Sequence, residues 1–595
     1  MVGMFLLPEF FMSRWLLVWL AVVGGPSLAL AQDDKLKIAG EARDILKAAC
    51  GRCHNGEGSS TKYKFDVTAL ETLTKPVGDR KKAVIVPGKP DDSPIWKAID
   101  DERMPDAGSI ESETFKRPQF DVVKKWIELG APAFPRAGEH RKFLTLETTL
   151  MAMKNHLAKL KLKDRPNARF FSIATVHNNK DVSDAELRYH RAALAKAVNS
   201  VSWANAIEPI VEVPETQATL FAVDILALQW NEEHRWEKIA KAHPYSLGFG
   251  DIAALKDVEQ EIQILSRDAL PLIRGDWFVA TATRPPLYHD LLNIPTNAME
   301  LEHRLKVDIA KNFEQGKLAR AAFTKSGVSA QNRMVERHAA TGGGAYWKSY
   351  DFLPGAVRGR LAKFPLGPRS LFAPGKHPFD AAAFEHDGGE IIFNLPNGLQ
   401  AYMLVNKKDE RIDEGPISVV FDNNKTGGTP AIVNGVSCMA CHSQGIIPFK
   451  DTVRNNPAVF DTFAEKVRDI YPEASEMEKL VEDDRSRFTM ALTRAVKPWL
   501  LTGENTDKPI ESFREPIQLV ATDHRNRQLT LEAVARELDL DSGDALQKRV
   551  GEKAMKKLGL QALIEASTIP RLEWESGLGR SLMQQLAAEL GYSAR

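Results

Sequence analysis

Apolar residues recur at helical spacing along most of this chain. Residues 42–53 read as one helix, and residues 120–129 as another with Val122, Val123, Trp126, Ile127 and Leu129 on its apolar side. The same period runs through 144–162, 185–198 and 252–270, and again through 459–471, 477–496, 529–538 and a last segment after Gly577. Asp541 and Ser542 read as a helix stop followed by a new N-cap. One stretch has a different texture: 390–395 and 399–405 are strand-like around Pro396, Asn397 and Gly398, and 417–421 predicts a third strand. The pattern predicts a mainly α protein, with a large helical middle region carrying a small antiparallel β-sheet.

The N-terminus is different in kind. An apolar run at 15–23 follows Arg14 and leads into Gly24, Gly25 and Pro26, then Ala29, Leu30 and Ala31. A basic start, a short hydrophobic stretch and a small-x-small site read as a secretory signal over residues 1–31. An uncleaved anchor is the alternative, although the run is short for a membrane span. No later window approaches eighteen consecutive apolar residues, so no membrane span is expected in the mature chain. Lys plus Arg and Asp plus Glu both number 79. That balance gives no support to a nucleic-acid partner.

The four cysteines carry the chemistry. They fall into two copies of Cys-x-x-Cys-His: Cys50, Cys53 and His54, then Cys438, Cys441 and His442. Two thiols set two residues apart can each form a thioether with a haem vinyl group, and the next histidine then becomes an axial iron ligand. A structural zinc site or a redox dithiol would explain the thiols but not a histidine directly after both pairs. Two covalently bound c-type haems are therefore expected. Covalent haem attachment requires export in the bacterial systems that perform it, so the signal and the motifs together point to the periplasm.

Around the first motif the order of segments is specific. Val86, Pro87, Gly88, Lys89 and Pro90 are followed by Arg103, Met104 and Pro105, and then by Trp126, Ile127, Gly130 and Ala131. This order resembles the planctomycete-type cytochrome c domain. The resemblance implies that the methionine of the Arg-Met-Pro loop, here Met104, is the distal haem ligand. A thioether is a soft neutral ligand that raises the potential, and the following proline favours an extended presentation. The expected organisation is a signal at 1–31, a cytochrome c domain at 36–135, an α+β middle region at 140–430 and a helical second haem domain at 431–595, so that cytochrome c-like helical domains flank the middle.

The sixth ligand of the second haem stays open. Met490 lies at a distance from His442 similar to that of Met104 from His54, but it sits in a helical pattern. Met477 and His524 are further candidates, and His289, His338 or His386 would reach across from the middle region. The group His386, Asp387 and Glu390 reads as the turn into a strand, with cation binding as the alternative. Trp203, Trp230, Trp236, Trp277 and Trp347 read as core anchors.

Function follows from the haems. The leading expectation is a periplasmic dihaem cytochrome c that exchanges electrons with redox protein partners, a small cytochrome or another periplasmic carrier. The competing one is a dihaem oxidoreductase, peroxidase-like or oxygenase-like, with an open position on the second haem. There a middle-region histidine or a carboxylate such as Glu390 would act as acid or base. The size of the middle region favours that alternative, and a docking role for it is a third reading.

Overall fold

The computed structural model describes residues 25–594, apart from 57–63, 77–82, 108, 136–137, 250–251, 270, 327 and 424. Residues 1–24 of the expected signal lie outside the described residues, and the rest of it belongs to the helix Gly25–Cys50. No helix of the described residues is long and apolar enough to cross a membrane. The chain divides into two compact units, residues 1–135 and 136–595.

In the first unit the helix Gly25–Cys50 packs on the helix Asp121–Glu128. Ala39, Ala42, Leu46 and Ala49 form its buried stripe against Val123, Trp126 and Ile127, as helical spacing requires. The segments that carry the family resemblance prove to be structural fasteners. Ser93 is fully buried; its hydroxyl accepts from Val86 N–H at 2.9 Å and donates to Lys89 O at 2.8 Å, closing the Val-Pro-Gly-Lys-Pro turn. Trp126 Nε1 donates to Pro132 O at 2.8 Å, and its ring stacks on Phe134. Gly130 ends the helix at φ 88°, in the left-handed region that glycine occupies without strain.

The second unit departs from the mainly α expectation. Helix accounts for 46% and strand for 14% of the structure, with several sheets. A mixed four-stranded sheet has β1 (Ala168–Ser172), β2 (Val211–Glu212), β3 (Leu220–Asp224) and β4 (Leu272–Arg274) in the order β2-β3-β1-β4. A six-stranded antiparallel meander then runs through β5 (Ala319–Ser326), β6 (Ser329–Ala339), β7 (Ala345–Asp351), β8 (Gly388–Asn394), β9 (Gln400–Asn406) and β10 (Arg411–Ile412). The two strands expected around Pro396 are β8 and β9. The third, 417–421, is instead a turn in which Val419 and Val420 N–H groups donate to Pro416 O while both side chains are buried.

Four strands of the meander, β5, β6, β7 and β10, escaped the hydrophobic pattern for a physical reason. The sheet's inner strands β7 and β9 are buried along almost their whole length, and several of its charged side chains are buried in pairs rather than turned to water. Arg320 and Glu336 are both 0% exposed and 2.8 Å apart, while buried Lys348 lies 2.9 Å from Asp409. A charged residue in such a strand is not a marker of a solvent face, so alternation gives no half-buried signature.

The helices largely fall where the periodicity placed them. Asp184–Ser200 packs on Ala474–Leu500 and on Pro516–Asn526. Ser542 caps Gly543–Val550 by accepting from Ala545 N–H at 3.2 Å. One hydrophobic core extends from Phe171 to Ala521, gathering Trp230, Trp236, Trp277 and Trp347 with Cys438 and Met439.

Two buried histidines make this unit acid-sensitive. Burial pushes His190 down to about 4 against opposing attraction from Asp523 and Asp276, and burial with Arg274 pushes His243 down to about 3. The unfolded chain takes protons below pH 6.5 that these folded imidazoles refuse. Stability is therefore lost as pH falls from 6.5 towards 4, by up to roughly 3 kcal/mol per histidine. Urea unfolding at stepped pH should show this slope, and His190→Gln should make it shallower.

Candidate haem attachment sites

The first motif begins at the last residue of the helix Gly25–Cys50. Cys53 and His54 N–H groups both donate to Cys50 O, at 3.1 and 3.0 Å, so the chain turns at once and brings both cysteines and His54 into one tight turn. His54 stacks on Phe65, with ring centroids 4.4 Å apart. Its Nδ1 is buried with no hydrogen-bond partner among the described residues. Burial lowers the His54 pKa, against a smaller opposing pull from Asp106, and favours the neutral imidazole that a metal needs. Burial, then the Cys53 and Glu111 charges, push the Cys50 thiol up to about 12. Arg52 holds Glu111 at 2.7 Å.

Met104 sits in the loop that follows the helix Pro94–Asp100. Arg103 and Met104 N–H groups both donate to Ala98 O, at 2.9 and 3.0 Å, which fixes the loop on the helix end. The Met104 side chain is 37% exposed, an unusual setting for a large thioether. Asp106, two residues on, is close enough for its charge to act on His54. The Arg-Met-Pro loop thus lies on the His54 side of the unit.

The second motif is set deep in the other unit. It occupies the short helix Val436–Cys441, whose Cys438 and Met439 are buried. Gly435 starts that helix at φ 83°, and a Cβ there would come within 2.4 Å of Thr283 O and 3.1 Å of the Tyr288 ring. Any other residue would push the helix off its seat. Asn434 lies beside His289, with Nδ2 and Nε2 2.7 Å apart. His442 Nδ1 is 3.1 Å from Gly445 O. A carbonyl can only accept, so the Nδ1 proton is fixed there and Nε2 is left as the outward-facing nitrogen.

What faces Nε2 is Glu390. Its Oε2 lies 3.5 Å away, carried by β8. Burial pushes the Glu390 carboxyl up, yet His442, Cys438 and Arg333 outweigh it and hold the group below its ordinary value. Tyr402 of β9 stacks on the His442 ring at 5.9 Å and 28°. Burial and the charges of Asp422 and Glu390 push the Cys441 thiol up to about 12, and burial together with Glu390 raises Cys438 well above its usual range.

The other candidate ligands are not brought to His442. His524 is committed on both nitrogens, to Asp276 at 3.2 Å and Glu575 at 2.7 Å. His338 contacts Asn312 and Glu336, and His386 contacts Asp409. Met490 is 57% exposed on its helix, whereas Met477 is buried in the core. His386, Asp387 and Glu390 diverge: Asp387 accepts from Leu353 N–H, and among the described residues no group of three such side chains forms a metal site. The sequence named Glu390 only as one carboxylate among others. Tyr402, Arg333 and Gly445 carried no signal, because nothing in a strand pattern tells which side chain will meet a motif in another element.

The residues present fit covalent haem by their chemistry. All four thiols are free, each pair is followed by an imidazole, His54 keeps an orphaned ring nitrogen, and His442 has its proton fixed away from Nε2. A haem bound there would supply one-electron iron chemistry. The protein's part is to anchor it through Cys50 and Cys53 or Cys438 and Cys441, and to orient His54 or His442.

Comparison with known families agrees for the first unit. The planctomycete cytochrome C family model matches residues 50–108. No curated protein and no solved structure matches the chain.

Proposed function

We propose that this chain, whose residues 50–108 are a planctomycete-type cytochrome c domain with covalent haem, works as a periplasmic dihaem c-type cytochrome passing electrons between redox protein partners. The observation that carries the reading is the pair of attachment turns, one in each unit, each offering two free thiols and an adjacent imidazole. His54 and Met104 would be the axial ligands of the first haem, with the exposed Met104 loop marking the side from which a small cytochrome or another periplasmic carrier exchanges electrons. His442 would hold the second haem inside the larger unit.

The test is the electron paramagnetic resonance spectrum of the ferric protein. Two low-spin signals support electron transfer, whereas a high-spin signal from the second haem supports an oxidoreductase. The observation behind that second reading is that the larger unit holds a carboxylate, Glu390, 3.5 Å from His442 Nε2, a group of the type that acid–base chemistry at a second haem requires. Met104→Ala should lower the first haem's midpoint potential by on the order of a tenth of a volt, within the roughly 0.8 V that axial ligands span. An unchanged midpoint in redox titration removes Met104 as ligand.

A further inference from the structure

The larger unit contains a cavity of about 140 Å³ that neither attachment motif lines. It lies between β1, β4 and the C-terminal segment, where Ser593–Ala594 pairs with Leu247–Gly248. Leu247, Phe249, Leu272 and Met583 make apolar walls. An apolar cavity of about 150 Å³ holds a benzene molecule, so the volume sets the size of what fits.

The polar lining separates into groups that are spent and groups that are not. Arg274 is bound by Asp276 at 2.6 Å and lies 2.8 Å from Glu537. Glu537 also takes Arg571 at 2.6 Å and Trp574 Nε1 at 2.8 Å. Tyr245 donates to Glu575, and His243 has a contact on each ring nitrogen. The two guanidinium groups are matched by Asp276 and Glu537, and Glu575 is taken by Tyr245 and His524.

Arg536, also among the lining residues, has neither a hydrogen bond nor an ion pair among the described residues, and the carboxylates of Asp181, Glu532 and Glu537 act on it only through their charge. Thr175, another lining residue, has a buried hydroxyl with no hydrogen-bond partner among the described residues. Asp539 accepts from Leu146 N–H at 2.8 Å and forms no ion pair with Arg536. An apolar chamber with few convergent polar groups is the usual form of a small-molecule site, and a guanidinium fork matches a carboxylate.

We propose that this cavity is a binding site for a small monocarboxylic acid with an apolar body about the size of a benzene ring, its carboxylate taken by Arg536 and its body by the apolar walls. One cation with no bonded partner takes one carboxylate in a direct contact. A phosphate ester would bring excess charge towards Glu537 and Asp539, so the monocarboxylate is the better match.

Benzoate and benzyl alcohol, titrated into the full-length haem-loaded protein by calorimetry, test this. Benzoate should bind saturably and at least about tenfold more tightly than the alcohol, as a charge-assisted bond predicts. Arg536→Gln should remove that advantage and leave alcohol binding unchanged, and Arg536→Lys should restore part of it. Thr175→Val, which leaves the guanidinium in place, is a second variant that should weaken benzoate less than Arg536→Gln does. No saturable benzoate binding, equal affinity for the two probes, or an Arg536→Gln protein that binds benzoate as before would each overturn the proposal.

Discussion

Protein with Cys438 and Cys441 both replaced by Ala is expected to carry one covalent haem, and the unaltered chain is expected to carry two. The chain has four cysteines, so no other thiol can stand in for the second pair. Removing one buried and one half-buried small side chain costs the core on the order of 1–3 kcal/mol, less than a domain of this size needs to unfold. Haem staining after denaturing electrophoresis, with the pyridine haemochrome absorbance per chain, reads covalent haem alone and ignores any retained through His442. The reciprocal Cys50→Ala/Cys53→Ala protein should also keep one haem, with the other spectrum. A first variant that keeps as much covalent haem per chain as the unaltered protein would exclude Cys438 and Cys441 as an attachment site. The same preparation settles the choice between relay and oxidoreductase, since the signal that disappears is that of the second haem.

The attachment motifs were plain in the sequence because covalent chemistry fixes their spacing. Cys50, Cys53 and His54 need no tertiary partner to be recognised, and the Val-Pro-Gly-Lys-Pro and Trp-Ile segments close local turns whose residues are near in sequence, as with Ser93 and Lys89 or Trp126 and Pro132. Amphipathic helices such as Asp184–Ser200 were equally plain, since one face must be buried. What sequence did not give was long-range. Glu390 meets His442 only because β8 passes beside the second motif, and Arg337 of β6 meets Asp484 of the helix Ala474–Leu500 at 2.8 Å. Strands that bury paired charges carry no periodic mark. The mainly α expectation therefore failed at the six-stranded sheet, where long-range pairing decides the fold.

That sheet supplies the largest stability effect expected. Arg320→Leu should destabilise the protein by about 3–5 kcal/mol, the usual result of leaving one partner of a buried ion pair alone. Arg320 Nε donates to Glu336 Oε2 at 2.8 Å, and its other nitrogens donate to Pro365 O and Gly367 O. Glu336 also accepts from Tyr350 OH at 2.6 Å. Burial raises the Glu336 carboxyl, but Arg320, then His338 and Tyr350, hold it well below the usual range. In the unaltered protein the pair therefore stabilises the fold above the unfolded carboxyl pKa, and this contribution fades as pH falls through that region. Without Arg320 the sign reverses: the buried carboxyl is driven up, and stability falls as pH rises and the group is forced to ionise. Urea unfolding of Arg320→Leu should show that reversal. Arg320→Leu/Glu336→Leu should recover much of the loss, because two apolar side chains need no compensation in this setting. Equal instability of the single and double variants would mean that Arg320 acts through Pro365 and Gly367 rather than through Glu336. Glu336 pairs across the sheet with Lys348, whereas Glu390 stands opposite Ser349 on the other face. The folded fraction of either variant should accordingly keep the second haem's spectrum unchanged, which separates a loss of fold from a change at His442.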